Sequence, residues 1–276
     1  MRIAITGGGG ELGRTLIPYL LEQGHSAVAI DRAQPSLNAA SFPRPEFIVA
    51  DTRDFGQTVA SMRGCDALIH LAAHRSPRNH PDHVVYGDNT LSSYNVLSAA
   101  AILGIKRVCL ASSINAIGGA FSRAPRYDYF PIDERHPTYA EDAYSLSKWV
   151  LEQQADAFAR RFEWMAIASL RFHMLVESRA IAAERTRQFE AGATRHLWAY
   201  TGLRSASEAC LLALGADFSG HEVFYIVAPE TVAPQPSLDL AREHYPGTAI
   251  RGDLSGHAAF FDSSKAERML GWRHQD

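Results

Sequence analysis

Tyr144 and Lys148 stand four residues apart in the run Tyr144-Ser145-Leu146-Ser147-Lys148. On a helix that spacing puts both side chains on one face, about one turn apart. A free phenol has a pKa of about 10 and is a poor base at neutral pH. An ammonium beside it favours the phenolate. Such a pair can take a proton from a substrate hydroxyl or give one back. Only three of the 27 basic residues are lysine: Lys106, Lys148 and Lys265. Random placement of ten tyrosines and three lysines predicts roughly 0.1 such pairs, so the spacing carries information. The same chain holds two adjacent hydroxyls, Ser112 and Ser113, 31 residues before Tyr144 when counted from Ser113.

A second constellation opens the chain. Arg2 to Thr6 reads as a short buried strand, followed by Thr6-Gly7-Gly8-Gly9-Gly10-Glu11-Leu12-Gly13. A helix from about Leu12 to Gln23 comes next, with Leu12, Leu16, Tyr19 and Leu20 on one face. A strand, a glycine turn and a helix in that order make a pyrophosphate site. Gly7 permits the tight turn, Gly10 lets the backbone reach the anion, and Gly13 lets the helix close on the strand. The helix N-terminus at Glu11 and Leu12 adds unpaired N–H groups and a positive dipole end. Pro18 lies inside this helix and is expected to bend it. A second strand, Ser26 to Ile30, ends at Asp31, 18 residues after Gly13. An acidic side chain there binds the adenosine ribose of NAD and repels the 2′-phosphate of NADP. Arg32 follows it and could pair with that phosphate, so the reading is NAD ahead of NADP.

The remaining elements must bring these two constellations together. Gln34 to Pro45 reads as a loop, Phe47 to Ala50 as a strand, Asp54 to Met62 as a helix and Ala67 to Leu71 as a fourth strand. His74, His80 and His83 follow in a polar stretch; their spacing fits no metal motif, so they read as loop histidines. A helix from about Pro81 to Leu103 ends at Gly104, and Lys106 to Ala111 is a fifth strand that delivers Ser112 and Ser113 to a sheet edge. The connection from Gly119 to Asp142 is long and aromatic, and reads either as a substrate-cleft loop or as a packed loop. Tyr144 to about Phe162 is helical, Trp164 to Leu170 is a strand, Leu197 to Tyr200 a short strand, Ser205 to Leu214 a helix capped by Ser205, and Val223 to Val227 a strand. Arg179, Arg185, Arg187, Arg195 and Arg204 read either as a substrate-anion site or as a solvated face.

Composition sets bounds. The 276 residues are 46% apolar, enough for a buried core, and the formal charge of −3 gives no footing to nucleic acid or an anionic membrane as partner. Cys65, Cys109 and Cys210 are far apart and form no C-x-x-C pair. That fits a reducing compartment, and no stretch is long enough to span a bilayer. The expectation is a cytoplasmic protein with a small-molecule substrate and no metal.

The T-G-x-x-G-x-x-G start, the Tyr144/Lys148 pair and the closing run Phe261-Asp262-Ser263-Ser264-Lys265-Ala266 to Leu270-Gly271-Trp272 together resemble the extended short-chain dehydrogenase/reductase family, the NAD-dependent epimerase/dehydratase type. The resemblance spans nearly the whole chain. It implies an α/β fold, a doubly wound parallel sheet of Rossmann type, with a small C-terminal substrate lobe. Residues 1–171 would bind NAD and 172–276 mostly substrate, with elements near 205–230 returning to the sheet. It implies Ser113, Tyr144 and Lys148 as the catalytic set, with Ser112 as the alternative serine. It puts Asp51 and Thr52 against adenine, and Leu71, Ala72 and Ala73 of His70-Leu-Ala-Ala73 along the cofactor. It also places Asn89 and the nicotinamide-facing Tyr144 and Lys148 at the cofactor. Ser113, Asn115 and His173 would meet substrate, although His173 reads more simply as a packed histidine. The run S-S-x-x-x-I-G from Ser112 also resembles uronate dehydrogenases. The expected activity is hydride transfer at a secondary alcohol of a sugar or sugar acid. Two alternatives are a nucleotide-sugar epimerase or dehydratase with tightly held NAD, and a non-catalytic cofactor sensor. The family also implies a homodimer through the helices near 83–103 and 142–162.

Overall fold

The computed structural model describes residues 1–34, 45–188 and 190–275. Most of the loop expected from Gln34 to Pro45 lies outside the described residues. The elements in order are β1 (Arg2–Thr6), α1 (Glu11–Glu22), β2 (Ser26–Asp31), β3 (Glu46–Val49), α2 (Phe55–Ser61), β4 (Ala67–His70), α3 (Asp82–Leu103) and β5 (Arg107–Ser113). Then come β6 (Tyr129–Phe130), α4 (Ala143–Arg161), β7 (Ala166–Phe172), β8 (Leu175–Val176), α5 (Arg179–Gln188), α6 (Glu190–Ala193) and β9 (Thr201–Gly202). The chain closes with α7 (Leu203–Gly215), β10 (Gly220–Ile226), α8 (Ser237–His244), β11 (Ala249–Ile250) and α9 (Ser264–Leu270).

Seven strands form one parallel sheet in the order β3-β2-β1-β4-β5-β7-β10. Strand side chains alternate between its faces. Ile3 and Ile5 join Leu12, Leu16, Leu203, Ala206 and Trp272 on one side. Ala4 and Val28 join Val96, Leu97, Leu151 and Phe158 on the other. Helices therefore cover both faces, and both are dry. The strand order reverses between β1 and β4, which opens a crevice at the strands' carboxyl ends. A third apolar cluster, around Phe130, Trp198, Tyr225 and Phe260, packs the small sheet β6-β11 beside it.

Local chemistry explains the boundaries. Asp54 caps α2 by accepting from the Gln57 N–H at 2.9 Å, and Asp142 caps α4 by accepting from the N–H groups of Tyr144 and Ser145. Gly104 ends α3 in the left-handed region. Helix α1 continues through Pro18.

Three expectations fail. Leu197 to Tyr200 is no strand: Leu197 and Trp198 both have φ of 51°, and the strand is Thr201–Gly202, paired with Leu175–Val176. The apolar residues there signalled burial in the third cluster rather than a strand. Ser205 does not cap α7, which starts at Leu203 after Gly202; its hydroxyl accepts from the Gln275 N–H instead. His83 sits inside α3, so only His74 and His80 are loop histidines. The long connection from Gly119 is mostly packed, since Tyr127, Tyr129 and Phe130 are buried.

Candidate active site

The glycine turn has the stereochemistry the sequence required. Gly7 adopts φ of 71°, and a Cβ on it would lie 2.7 Å from the Ala72 nitrogen. A Cβ on Gly13 would lie 2.6 Å from the Gly8 carbonyl oxygen. Both neighbours are backbone and cannot move aside. Asp31 reaches back to this turn: its carboxylate accepts from the Gly9 N–H at 3.0 Å and the Arg32 N–H at 2.7 Å. The acid that could meet a ribose thus also holds the loop.

One cleft of about 1120 Å³ runs from this turn across the sheet edge. Every residue singled out for the site lines it: Gly7, Gly10, Glu11 and Leu12; Asp31 and Arg32; Asp51 and Thr52; Leu71, Ala72 and Ala73; Asn89; and Ser113, Asn115, Tyr144, Lys148 and His173. Several are already engaged. Asn89 donates to the His74 carbonyl and to Ser147 Oγ, and accepts from the His74 N–H. Thr52 Oγ1 lies 2.6 Å from Ser92 Oγ. Asp51 pairs with Arg53, which also grips Asp88. His74 pairs with Asp88 too, and no cluster of metal-ligating residues exists among the described residues.

At the far end, β5 and α4 place the hydroxyls of Ser113 and Tyr144. Ser113 Oγ accepts from the Asn115 N–H at 3.1 Å, and Ser113 and Tyr144 line the same end of the cleft. Burial pushes the Tyr144 phenol up; Ser113 and the charge of Arg75 act against it. The Lys148 nitrogen sits 5.8 Å from the Tyr144 ring centre and donates to the Ala111 carbonyl at 2.6 Å. Burial lowers Lys148 to about 8, against the pull of Glu152.

His173 is packed. Its Nε2 lies 2.9 Å from the His196 carbonyl and its Nδ1 accepts from the Met174 N–H, and burial lowers it to about 3. Both nitrogens are used, which leaves none to exchange protons with a ligand. Of the five arginines between 179 and 204, only Arg185 lines the cleft. Arg179 and Arg195 bind the carbonyls of Thr231 and Ser122, and Arg187 and Arg204 pair with Glu184 and Glu22.

Phe121, His196 and Arg75 are among the cleft residues that escaped the sequence reading. Phe121 packs edge-on to Tyr144, with ring centres 5.7 Å apart, and His196 lies beyond it. Arg75 pairs with Glu11 at 2.7 Å. Arg75 follows His70-Leu-Ala-Ala73 by two residues, a usable signal. Phe121 and His196 carry no local pattern.

Family comparison agrees with this geometry: the model of the NAD dependent epimerase/dehydratase family matches residues 3–198. The chain belongs to that family. A Synechocystis sp. relative, provisionally named dihydroflavonol 4-reductase, is 32% identical over 60% of this chain and 47% of its own. A Methanocaldococcus jannaschii relative, provisionally named UDP-glucose 4-epimerase, is 31% identical over 58% of this chain and 52% of its own. The chain thus spans about half the length of these curated relatives. A solved mutated uronate dehydrogenase shares the fold, with a TM-score of 0.70 at 21% identity over 100% of this chain and 82% of its own.

Proposed function

We propose that this family member is an NAD-dependent dehydrogenase acting on a secondary alcohol of a small sugar or sugar acid. The observation that carries the reading is that Ser113, Tyr144 and Lys148, the last one turn along α4, line the same cleft as the glycine turn. The residues fit the cofactor: the turn has no room for side chains at Gly7 and Gly13, and Asp31 stands at the end of β2. NAD, when bound, supplies the hydride acceptor. Ser113 holds the substrate oxygen, and Tyr144 takes its proton as general base. Lys148 supplies the positive charge at this end of the cleft and donors for ribose hydroxyls. Glu11, Leu12, Leu71, Ala72 and Ala73 form the cofactor wall, with Asp51 and Thr52 at the adenine end. The carboxylate of Asp31 favours NAD over NADP.

A second reading, a nucleotide-sugar epimerase with retained NAD, is favoured by the epimerase name of one relative. A sensor without catalysis is disfavoured by the intact Ser, Tyr and Lys set. The test is to denature freshly purified protein and assay the released NAD(H). Empty protein that binds NAD reversibly and reduces it with a sugar or sugar-acid panel supports the dehydrogenase. Stoichiometric retained cofactor, with turnover only of nucleotide sugars, refutes it.

The reading includes a division of labour, with residues 1–171 holding cofactor and most of 172–276 shaping the substrate end. It includes a homodimer, because α3 leaves Tyr86, Leu91 and Tyr94 exposed. Light scattering that gives a monomer mass at micromolar concentration removes that part. Three buried, unpaired cysteines favour a cytoplasmic setting.

A further inference from the structure

Helix α4 meets the end of β5 through three successive turns. Tyr144 shares the cleft end with Ser113, Lys148 donates to the Ala111 carbonyl, and Glu152 accepts from Ser112 Oγ at 2.6 Å. Positions 144, 148 and 152 are spaced i, i+4 and i+8, so one helix face meets three consecutive strand residues. Tyr144 and Lys148 have roles in the proposed reaction. Glu152 has none, yet it is a carboxylate only 3% exposed. It forms a two-pronged bond with Arg171 at 2.9 and 2.7 Å, and Arg171 is itself 5% exposed. Arg171 Nη1 also donates to Tyr225 Oη at 3.1 Å. A buried ion pair is costly to desolvate and is often replaceable by apolar residues without loss of stability. Its placement here therefore needs a reason other than stability.

Lys148 supplies the reason. The residue is 5% exposed, and its ammonium donates to one backbone carbonyl. The groups around it come from every neighbouring element. His70 faces it from β4 and is neutral; β5 offers only the Ala111 carbonyl; Arg171 lies on β7; and Asp88 on α3 is consumed by Arg53 and His74. Beyond Arg171 lie Tyr225 and Glu134, which accepts from the Tyr225 N–H. Tyr144 and Glu152 complete the set from α4 itself. Among the described residues Glu152 is the anion that raises the proton affinity of the lysine, and it stands one turn along α4 from it.

We propose that Glu152 is a positioning residue that keeps the Lys148 ammonium charged and in register with Ser113 and Tyr144. The inference rests on the reaction proposed above for its effect on KM, but not for its effect on the lysine. Lysine NMR separates the two. With only Lys106, Lys148 and Lys265 in the chain, protein carrying ¹³Cε-lysine gives three signals, assigned with Lys106→Arg and Lys265→Arg. The pH titration of the Lys148 signal is then compared in wild type, Glu152→Gln and Glu152→Gln/Arg171→Met. The double variant keeps a side chain for Ser112 and leaves no unpaired buried charge. Removing the Glu152 charge alone, in Glu152→Gln, lowers the proton affinity of Lys148 at least about tenfold; the double variant, which also removes the Arg171 charge, lowers it less. Glu152→Asp, which keeps the charge, restores it. In the same variants KM for NAD rises, because a neutral lysine is a poorer donor to the ribose hydroxyls. A folded Glu152→Gln protein with an unchanged Lys148 titration overturns the proposal. A shifted titration in protein that shows no sugar oxidation upholds Glu152 and removes the dehydrogenase reading instead.

Discussion

Acid should destabilise this protein through two histidines that the fold keeps neutral. His70 and His173 are buried, and burial lowers each from its ordinary value to about 3. In the unfolded chain each titrates at about 6.5. Between those two pH values the unfolded state binds protons that the folded state refuses, so stability rises with pH there. The contribution is complete above about 6.5 and is lost progressively as pH falls toward 3. From pH 7 to pH 5 each histidine costs about 2 kcal/mol, and the pair about 4 kcal/mol. The perturbation that isolates one of them is His70→Asn, which keeps a polar partner for Thr6 Oγ1, 2.7 Å from the imidazole Nδ1. Unfolding free energies from urea titrations at pH 7 and pH 5, at equal ionic strength, give the readout where circular dichroism and tryptophan fluorescence coincide. The loss between the two pH values should be smaller in His70→Asn than in wild type by about 2 kcal/mol. Equal losses in the two proteins refute the claim that His70 is held neutral in the folded state.

Other outcomes bear on the cleft. Tyr144→Phe should cut turnover at least about 100-fold while NAD affinity, read by fluorescence, stays within twofold; unchanged turnover removes the catalytic assignment. Gly13→Ala should destabilise by at least about 2 kcal/mol and weaken NAD binding, since its methyl would strike the Gly8 carbonyl; a wild-type melting temperature contradicts that packing. Asp31→Asn should weaken NAD about tenfold and improve NADP, because it removes a charged acceptor and a repulsion together; an unaltered preference between the two cofactors counts against Asp31 as discriminator. Arg185→Ala should raise KM for an acidic sugar about tenfold and leave a neutral sugar unaffected; equal changes for both deny it a role in anion recognition.

The features legible in the sequence are those whose cause is local. Gly7 and Gly13 are required by backbone contacts within one turn and its neighbouring strand, so a glycine pattern reports them. Tyr144 and Lys148 share a helix, and helical spacing alone brings them to one face. Strand and helix identities followed from apolar periodicity, which is why β1, β2, β4, β5 and β7 were foreseen within a few residues. The two-residue strands β6, β8, β9 and β11 are too short to show a period. The backbone at Leu197 and Trp198, with φ of 51°, is held by burial in the third cluster and has no glycine to announce it.

The sequence by itself determined that a glycine turn between a strand and a helix, an acid at the end of the second strand and a Tyr/Lys pair exist, because each is written within a few adjacent residues. Only the tertiary structure decided what surrounds them. Glu152 meets Arg171 across 19 residues, and Phe121 meets Tyr144 from a separate loop. It also decided that His173 is a packed neutral group while His196 lines the cleft, and that Arg185 alone of its five arginines does so. The physical reason is that charge state, exposure and partner depend on what packs against a side chain. That is fixed by elements far away in the chain and leaves no periodic trace in it.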